Sequence, residues 1–187
     1  MYIRTGDVFQ SVDERRQPIF VTCCASVDKE NCLIMRNGLA ASCLSKFENI
    51  DKDLGRLVAH FSIPVDQSNR PWMQKYGVVF DRKRRIGAFQ VKYHHKDIVD
   101  MELVRHSAYM LAAVSQAIGP VHVNCPDLGV PDNRQVLNIV RPIWYKTRIN
   151  IWTTQEGHEE EEDYTPPFDV SEPISYGSIA SKGTGHD

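Results

Sequence analysis

Short apolar runs alternate along this chain with longer stretches in which apolar residues recur every three or four positions. Tyr2 to Arg4 reads as a short strand, closed by the turn residues Thr5, Gly6 and Asp7. Pro18 to Cys24 is a continuous β-rich apolar run, the pattern of a strand covered on both faces. Lys75 to Asp81 and Arg85 to Lys92 predict a hairpin around a basic turn. In its second arm Ile86, Ala88, Gln90 and Lys92 alternate with Gly87, Phe89 and Val91, which predicts a half-buried strand. Val121 to Asn124 is a further buried-type strand, and Arg148 to Trp152 is the last.

The slower rhythm predicts helices. Asn37 and Gly38 stand where a helix through Leu39 to Phe47 would begin. Asp51 to Phe61 places Leu54, Leu57, Val58 and Phe61 on one face. Asp100 to Ile118 has an acidic first turn and a stripe at Val104, Ala108, Leu111 and Ile118, and Gly119-Pro120 stops it. The irregular stretch Cys125 to Asp132 precedes a helix through Gln135 to Val140. Strands alternating with helices predict a three-layer α/β domain over residues 1–154. From residue 155 to 187 the composition turns acidic, with Glu159 to Asp163 as its core, and then rich in Pro, Ser and Gly. So little apolar surface predicts a mobile tail, though Tyr164, Phe168, Ile174 and Tyr176 leave room for a docking segment.

Composition narrows the function. A net charge of −2 over 187 residues gives no strong nucleic-acid signal. The basic run Arg82 to Arg85 reads as a solvated turn, with a phosphate grip as the alternative. No signal-peptide core opens the sequence and no apolar run is long enough to span a membrane. Five cysteines without a framework spacing suit a reducing, cytoplasmic setting.

The chemistry concentrates at one strand end. Lys92, His94, His95, Lys96 and Asp97 crowd together where the second hairpin arm stops. This is either a solvated loop or a binding site, because α/β sheets bind ligands outside the carboxyl ends of their strands. Zinc is not expected, since no closely spaced ligand pair exists and His94 and His95 would point apart. Nor is a cofactor expected, because neither the dinucleotide fingerprint nor the P-loop is present. A helix beginning at Asn37-Gly38 would offer backbone N–H groups to a diphosphate. Cys125 has no identifiable base and reads as a plain thiol.

Taken in order, these pieces resemble the macro domain, an ADP-ribose-binding family, and most closely the branch of the terminal ADP-ribose protein glycohydrolase and related phage proteins. Tyr2-Ile-Arg-Thr-Gly-Asp-Val-Phe9 resembles the opening strand and its G-D-hydrophobic-F signature. Met35-Arg-Asn-Gly-Leu-Ala40 resembles the M-G-x-G-I-A loop. Phe89-Gln-Val-Lys92 is similar to the strand ending in this branch's nucleophilic lysine, and Ile149 to Thr153 to the closing strand. Cys125-Pro-Asp-Leu-Gly-Val130 resembles the P-x-I-G-x-G phosphate loop. The resemblance covers residues 1–154 and implies an α/β/α fold with a mixed central sheet. It implies ADP-ribose or an ADP-ribosylated macromolecule as partner. Asp7 and Val8 would meet the adenine. Arg36, Asn37, Gly38 and Leu39, with Pro126, Leu128, Gly129 and Val130, would hold the diphosphate. Lys92 would attack the distal ribose.

The departures are specific. Arg36 and Pro131 each replace a loop glycine, and proline has neither conformational freedom nor a donor N–H. The family's catalytic aspartate aligns with Asn133, while a shift of one residue recruits Asp132. The resemblance therefore implies either removal of ADP-ribose from modified targets through Lys92 and Asp132, or an interaction module whose pocket has changed.

Overall fold

A computed structural model describes residues 1–13, 16–36, 38–65, 73–124 and 133–153. In chain order the elements are β1 (Tyr2–Thr5), α1 (Val8–Ser11), β2 (Ile19–Cys24), α2 (Gly38–Lys46), α3 (Ile50–Phe61), β3 (Ile63–Pro64) and β4 (Gln74–Lys75). They continue with β5 (Val78–Asp81), β6 (Ile86–Lys92), α4 (Met101–Ile118), β7 (Val121–Asn124), α5 (Asn133–Trp144) and β8 (Ile149–Thr153).

Six strands form one sheet in the order β1-β8-β7-β2-β6-β5. Every neighbouring pair is parallel except the β5–β6 hairpin, so the sheet is mixed. Parallel neighbours need crossovers, and the helices supply them. Because strand side chains alternate between faces, β2 and β6 feed two cores at once. Ile19, Val21, Ile86 and Ala88 pack with Ala40, Cys43, Leu54 and Val58 of α2 and α3. Phe20, Phe89, Val91, Val123 and Ile151 pack with Val104, Leu111, Val136 and Trp144 of α4 and α5. Trp144 is fully buried, donates Nε1–H to the Ala108 carbonyl at 2.8 Å and meets Phe89 edge-on. The result is an α/β/α sandwich with five strand carboxyl ends along one edge.

Several expectations need correction. β6 is buried on both faces from Ile86 to Val91 rather than half-buried, because helices cover both sides of this central strand. Its polar Gln90 is fully buried for a reason the alternation hid. The first hairpin arm does not run unbroken from Lys75: β4 pairs with β3 in a separate small sheet, and Tyr76 and Gly77 interrupt the edge. Gln90 repairs that interruption. Its Oε1 accepts from Tyr76 N at 2.8 Å and Gly77 N at 3.0 Å, and its Nε2 donates to the Gln74 carbonyl at 2.8 Å. Gly77 has φ +67, and a Cβ there would lie 2.3 Å from Met110 Sδ. The last helix runs from Asn133 to Trp144, past the expected Val140 and through Pro142. The short α1 was not expected at all; Asp7 caps it. Among the described residues no helix is long and apolar enough to cross a membrane. The tail beyond residue 153 lies outside the described residues.

Candidate functional site

The carboxyl end of β6 is shaped by its pairing with β2. Cys23 opposes Gln90, but Cys24 opposes Lys92, so the register slips past Val91 and the strand bends as it ends. The chain then folds back tightly. Ala25 N donates to the Tyr93 carbonyl at 3.1 Å, His95 N donates to Ser26 Oγ at 3.1 Å, and His94 N donates to Asp97 Oδ2 at 2.9 Å. Asp100 then caps α4, accepting from Leu103 N at 3.0 Å. Lys92 Nζ donates to the His95 carbonyl at 3.1 Å, which holds the lysine over this turn. The His94 and His95 rings lie 4.1 Å apart.

The electrostatics of the turn are one-sided. The His95 pKa is lowered from the ordinary 6.5, first by burial and then by the charges of His94, Lys96, Arg36 and Lys92. All four charges are cationic, and they come from two segments, the β6 turn and the loop before α2. Among the described residues, no carboxylate forms a salt bridge with Lys92, Lys96 or Arg36. Three buried side-chain polar atoms among the described residues have no hydrogen-bond partner: His95 Nδ1, Asn124 Oδ1 and Arg85 Nε. The first two lie at the carboxyl ends of β6 and β7, on either side of β2. Buried polar groups are normally paired, and leaving one unpaired costs about 1–3 kcal/mol. Two such groups therefore lie along the strand carboxyl ends, and Arg85 Nε lies at the opposite end of β6.

The residues expected at the site distribute as follows. Asp7 follows β1 at the same sheet edge and is exposed, while Val8 is buried in the core. Asp7 Oδ1 accepts from Phe9 N at 2.8 Å, so this carboxylate is a helix cap whatever else it meets. Gly6 has φ +115 and donates its N–H to the Thr153 carbonyl at 3.0 Å, tying this turn to the end of β8. Arg36 is exposed beside the buried Met35. Gly38, at φ +55, opens α2, and Leu39 packs on the core. Lys92 ends β6. Asn133 opens α5. Asn37, Pro126, Leu128, Gly129, Val130 and Asp132 lie outside the described residues.

Sequence reasoning passed over Ser26 and Asn124, and weighed His95 as one of the ionisable cluster from Lys92 to Asp97 and as a zinc ligand. Nothing in the sequence around Ser26 marks it. Asn124 carried a readable signal, a polar residue ending a buried strand. Among the described residues no three His, Cys, Asp or Glu side chains converge on a metal position. Two of the buried thiols are poor nucleophiles: burial pushes Cys43 up to about 12 and Cys23 well above the usual range. A cavity of about 280 Å³ beside α1 is lined in part by Arg4, Gln17, His122 and Trp152. Trp152 Nε1 donates to His122 Nδ1 at 2.8 Å, so the other ring nitrogen carries the proton and donates to Gln17 Oε1. That network is internally satisfied and shows no sign of awaiting a ligand.

No family model and no curated protein matches the sequence. Solved structures do. The chain is similar to the macrodomain of Thermus aquaticus DarG at 14% identity and TM-score 0.55, over 82% of this chain and 97% of that one. It is similar to Thermosipho africanus DarTG in complex with ADP-ribose at 14% identity and TM-score 0.62, over 84% of this chain and 43% of that longer one. A macrodomain protein from Streptomyces coelicolor matches at 12% identity and TM-score 0.53, over 83% of this chain and 98% of that one. The chain has the macrodomain fold.

Proposed function

We propose that the protein binds ADP-ribose along the carboxyl ends of β1, β8, β7, β2 and β6. One observation carries this reading: on a macrodomain fold, cations from two separate segments, Arg36 and Lys92 with Lys96, gather at that edge, with no carboxylate partner among the described residues. A diphosphate supplies the missing charge. Asp7, at the far end of the same edge, accepts the adenine amino group, and the N-terminus of α2 at Gly38 offers backbone donors to the phosphates. In this arrangement Lys92 faces the distal ribose.

Turnover follows from the same placement. Lys92, as the free amine, attacks the anomeric carbon of an ADP-ribosyl ester. The carbon–oxygen bond to the target carboxylate breaks, the carboxylate leaves with the bonding pair, and the amine nitrogen gives up a proton. Water activated by Asp132 then releases ADP-ribose and restores the lysine. A second reading, a binder without turnover, is favoured by Arg36 in place of a loop glycine. Intact-mass spectrometry with an ADP-ribosylated ester substrate separates the two. The enzyme reading expects a lysine-linked adduct at Lys92, and a Lys92→Ala protein that keeps most binding and loses turnover. Turnover by Lys92→Ala at the wild-type rate would overturn the covalent role, and ligand binding without turnover by either protein would establish the binder.

A further inference from the structure

The charge of the chain is divided unevenly. Residues 1–153 hold 21 Lys and Arg against 15 Asp and Glu, whereas residues 154–187 hold 1 against 9. The domain is therefore cationic and the tail strongly anionic, which the overall net charge of −2 conceals. Five of those carboxylates are consecutive, from Glu159 to Asp163.

We propose that the run Glu159–Asp163 docks within its own chain on the cationic edge formed by Arg36, Lys92 and Lys96. Charge complementarity is the first argument. The nearby carboxylates are engaged elsewhere: Asp97 accepts from His94 N and Asp100 caps α4. Among the described residues, no carboxylate forms a salt bridge with Arg36, Lys92 or Lys96.

Reach is the second argument. β8 ends at Thr153 on the same edge as Lys92, three strand positions from β6. Strands spaced roughly 4.8 Å apart make that about 14 Å. Glu159 is six residues beyond Thr153, and six extended residues span about 20 Å. The acidic run is thus within reach of the cationic edge.

The other basic group serves less well. Lys46, Lys83, Arg84 and Arg85 line a cavity of about 550 Å³ next to the β5–β6 turn, at the opposite end of β6 from Lys92. Reaching it adds the length of the sheet, about 20 Å for a six-residue strand. Arg84 there is already paired with Asp53 and Asp81.

A docked acidic run offers the edge the same chemistry as a diphosphate, so it competes with ADP-ribose; this consequence rests on the function proposed above. Tethered competitors act at roughly millimolar effective concentration, enough to weaken ligand binding about 2- to 10-fold.

The test uses the full chain with a zero-length carbodiimide cross-linker and peptide mapping. The expected products join Lys92 or Lys96 to Glu159–Asp163 within one chain. They should fade at about 1 M salt, where screening reaches roughly 3 Å, and vanish when Glu159 to Glu162 are each changed to Gln and Asp163 to Asn. The same variant should bind ADP-ribose about 2- to 10-fold tighter. Cross-links to Lys46 or Lys83, cross-links only between two copies, or none at all would overturn the docking. Cross-links as expected with unchanged ADP-ribose affinity would overturn the competition. A wild-type chain and Gln variant that both ignore ADP-ribose would defeat the ligand reading instead, while the cross-links still decide the docking.

Discussion

Gln90 ties the Lys92 end of β6 to the break before β5. Changing it to Leu keeps the bulk and removes the amide. Tyr76 N and Gly77 N then lose their acceptor, and the Gln74 carbonyl loses its donor, all in a part of the protein where Gln90 is fully buried. Three unsatisfied backbone groups at about 1–3 kcal/mol each give roughly 3–9 kcal/mol. The buried Leu side chain returns about 1.5–3 kcal/mol. A net loss of about 2–6 kcal/mol follows, a large part of the roughly 5–15 kcal/mol that holds a typical domain together. Urea unfolding followed by far-UV circular dichroism measures it, with an unchanged m-value confirming that the same surface unfolds. In whatever fraction remains folded, ADP-ribose binding should weaken, since Gln90 Nε2 also approaches the Lys92 carbonyl at 3.4 Å. A Leu variant within about 1 kcal/mol of the wild type would refute the reasoning that Gln90 stands in for a missing stretch of strand.

Asp7 has two roles to separate: Asp7→Asn keeps the cap on Phe9 N but loses the charge, and it should weaken ADP-ribose binding about tenfold by calorimetry with little change in melting temperature. Unchanged affinity would remove Asp7 from the adenine. His122 predicts a pH effect. Burial, then the Arg4 charge, hold its pKa at about 4 against the ordinary 6.5. The unfolded chain therefore takes up the proton first, so this contribution to stability is complete above pH 6.5 and is lost as the pH falls toward 4. Urea midpoints measured across that window should fall toward acid, with a shallower fall in His122→Gln, which never titrates; equal slopes would contradict the assignment.

Much of the fold was legible because its elements carry unmixed patterns. Pro18 to Cys24 is apolar throughout, and the structure buries it on both faces. Asp100 to Ile118 carries its own cap and stop, and α4 occupies nearly that span. What failed to read was long-range. Nothing local tells that Gln90 faces a break between β4 and β5 fourteen residues earlier, so the pattern reads only as a half-buried strand. The site was legible to the extent that one segment held it: Lys92 and the residues after it stood out together. The convergence of Arg36 on the same turn, and the unpaired Asn124 Oδ1 at the end of β7, come from strand order, which no sequence window contains.

The central claim is that the strand carboxyl ends take a whole ADP-ribose, from adenine at Asp7 to distal ribose at Lys92. Isothermal titration of the full chain with ADP-ribose, AMP and ribose 5-phosphate addresses it directly. The account predicts saturable one-to-one binding of ADP-ribose, at least about tenfold tighter than either fragment, because each fragment forfeits one end of the edge and about 1.4 kcal/mol or more of contact. No saturable heat with ADP-ribose, or AMP binding as tightly as ADP-ribose, would contradict it.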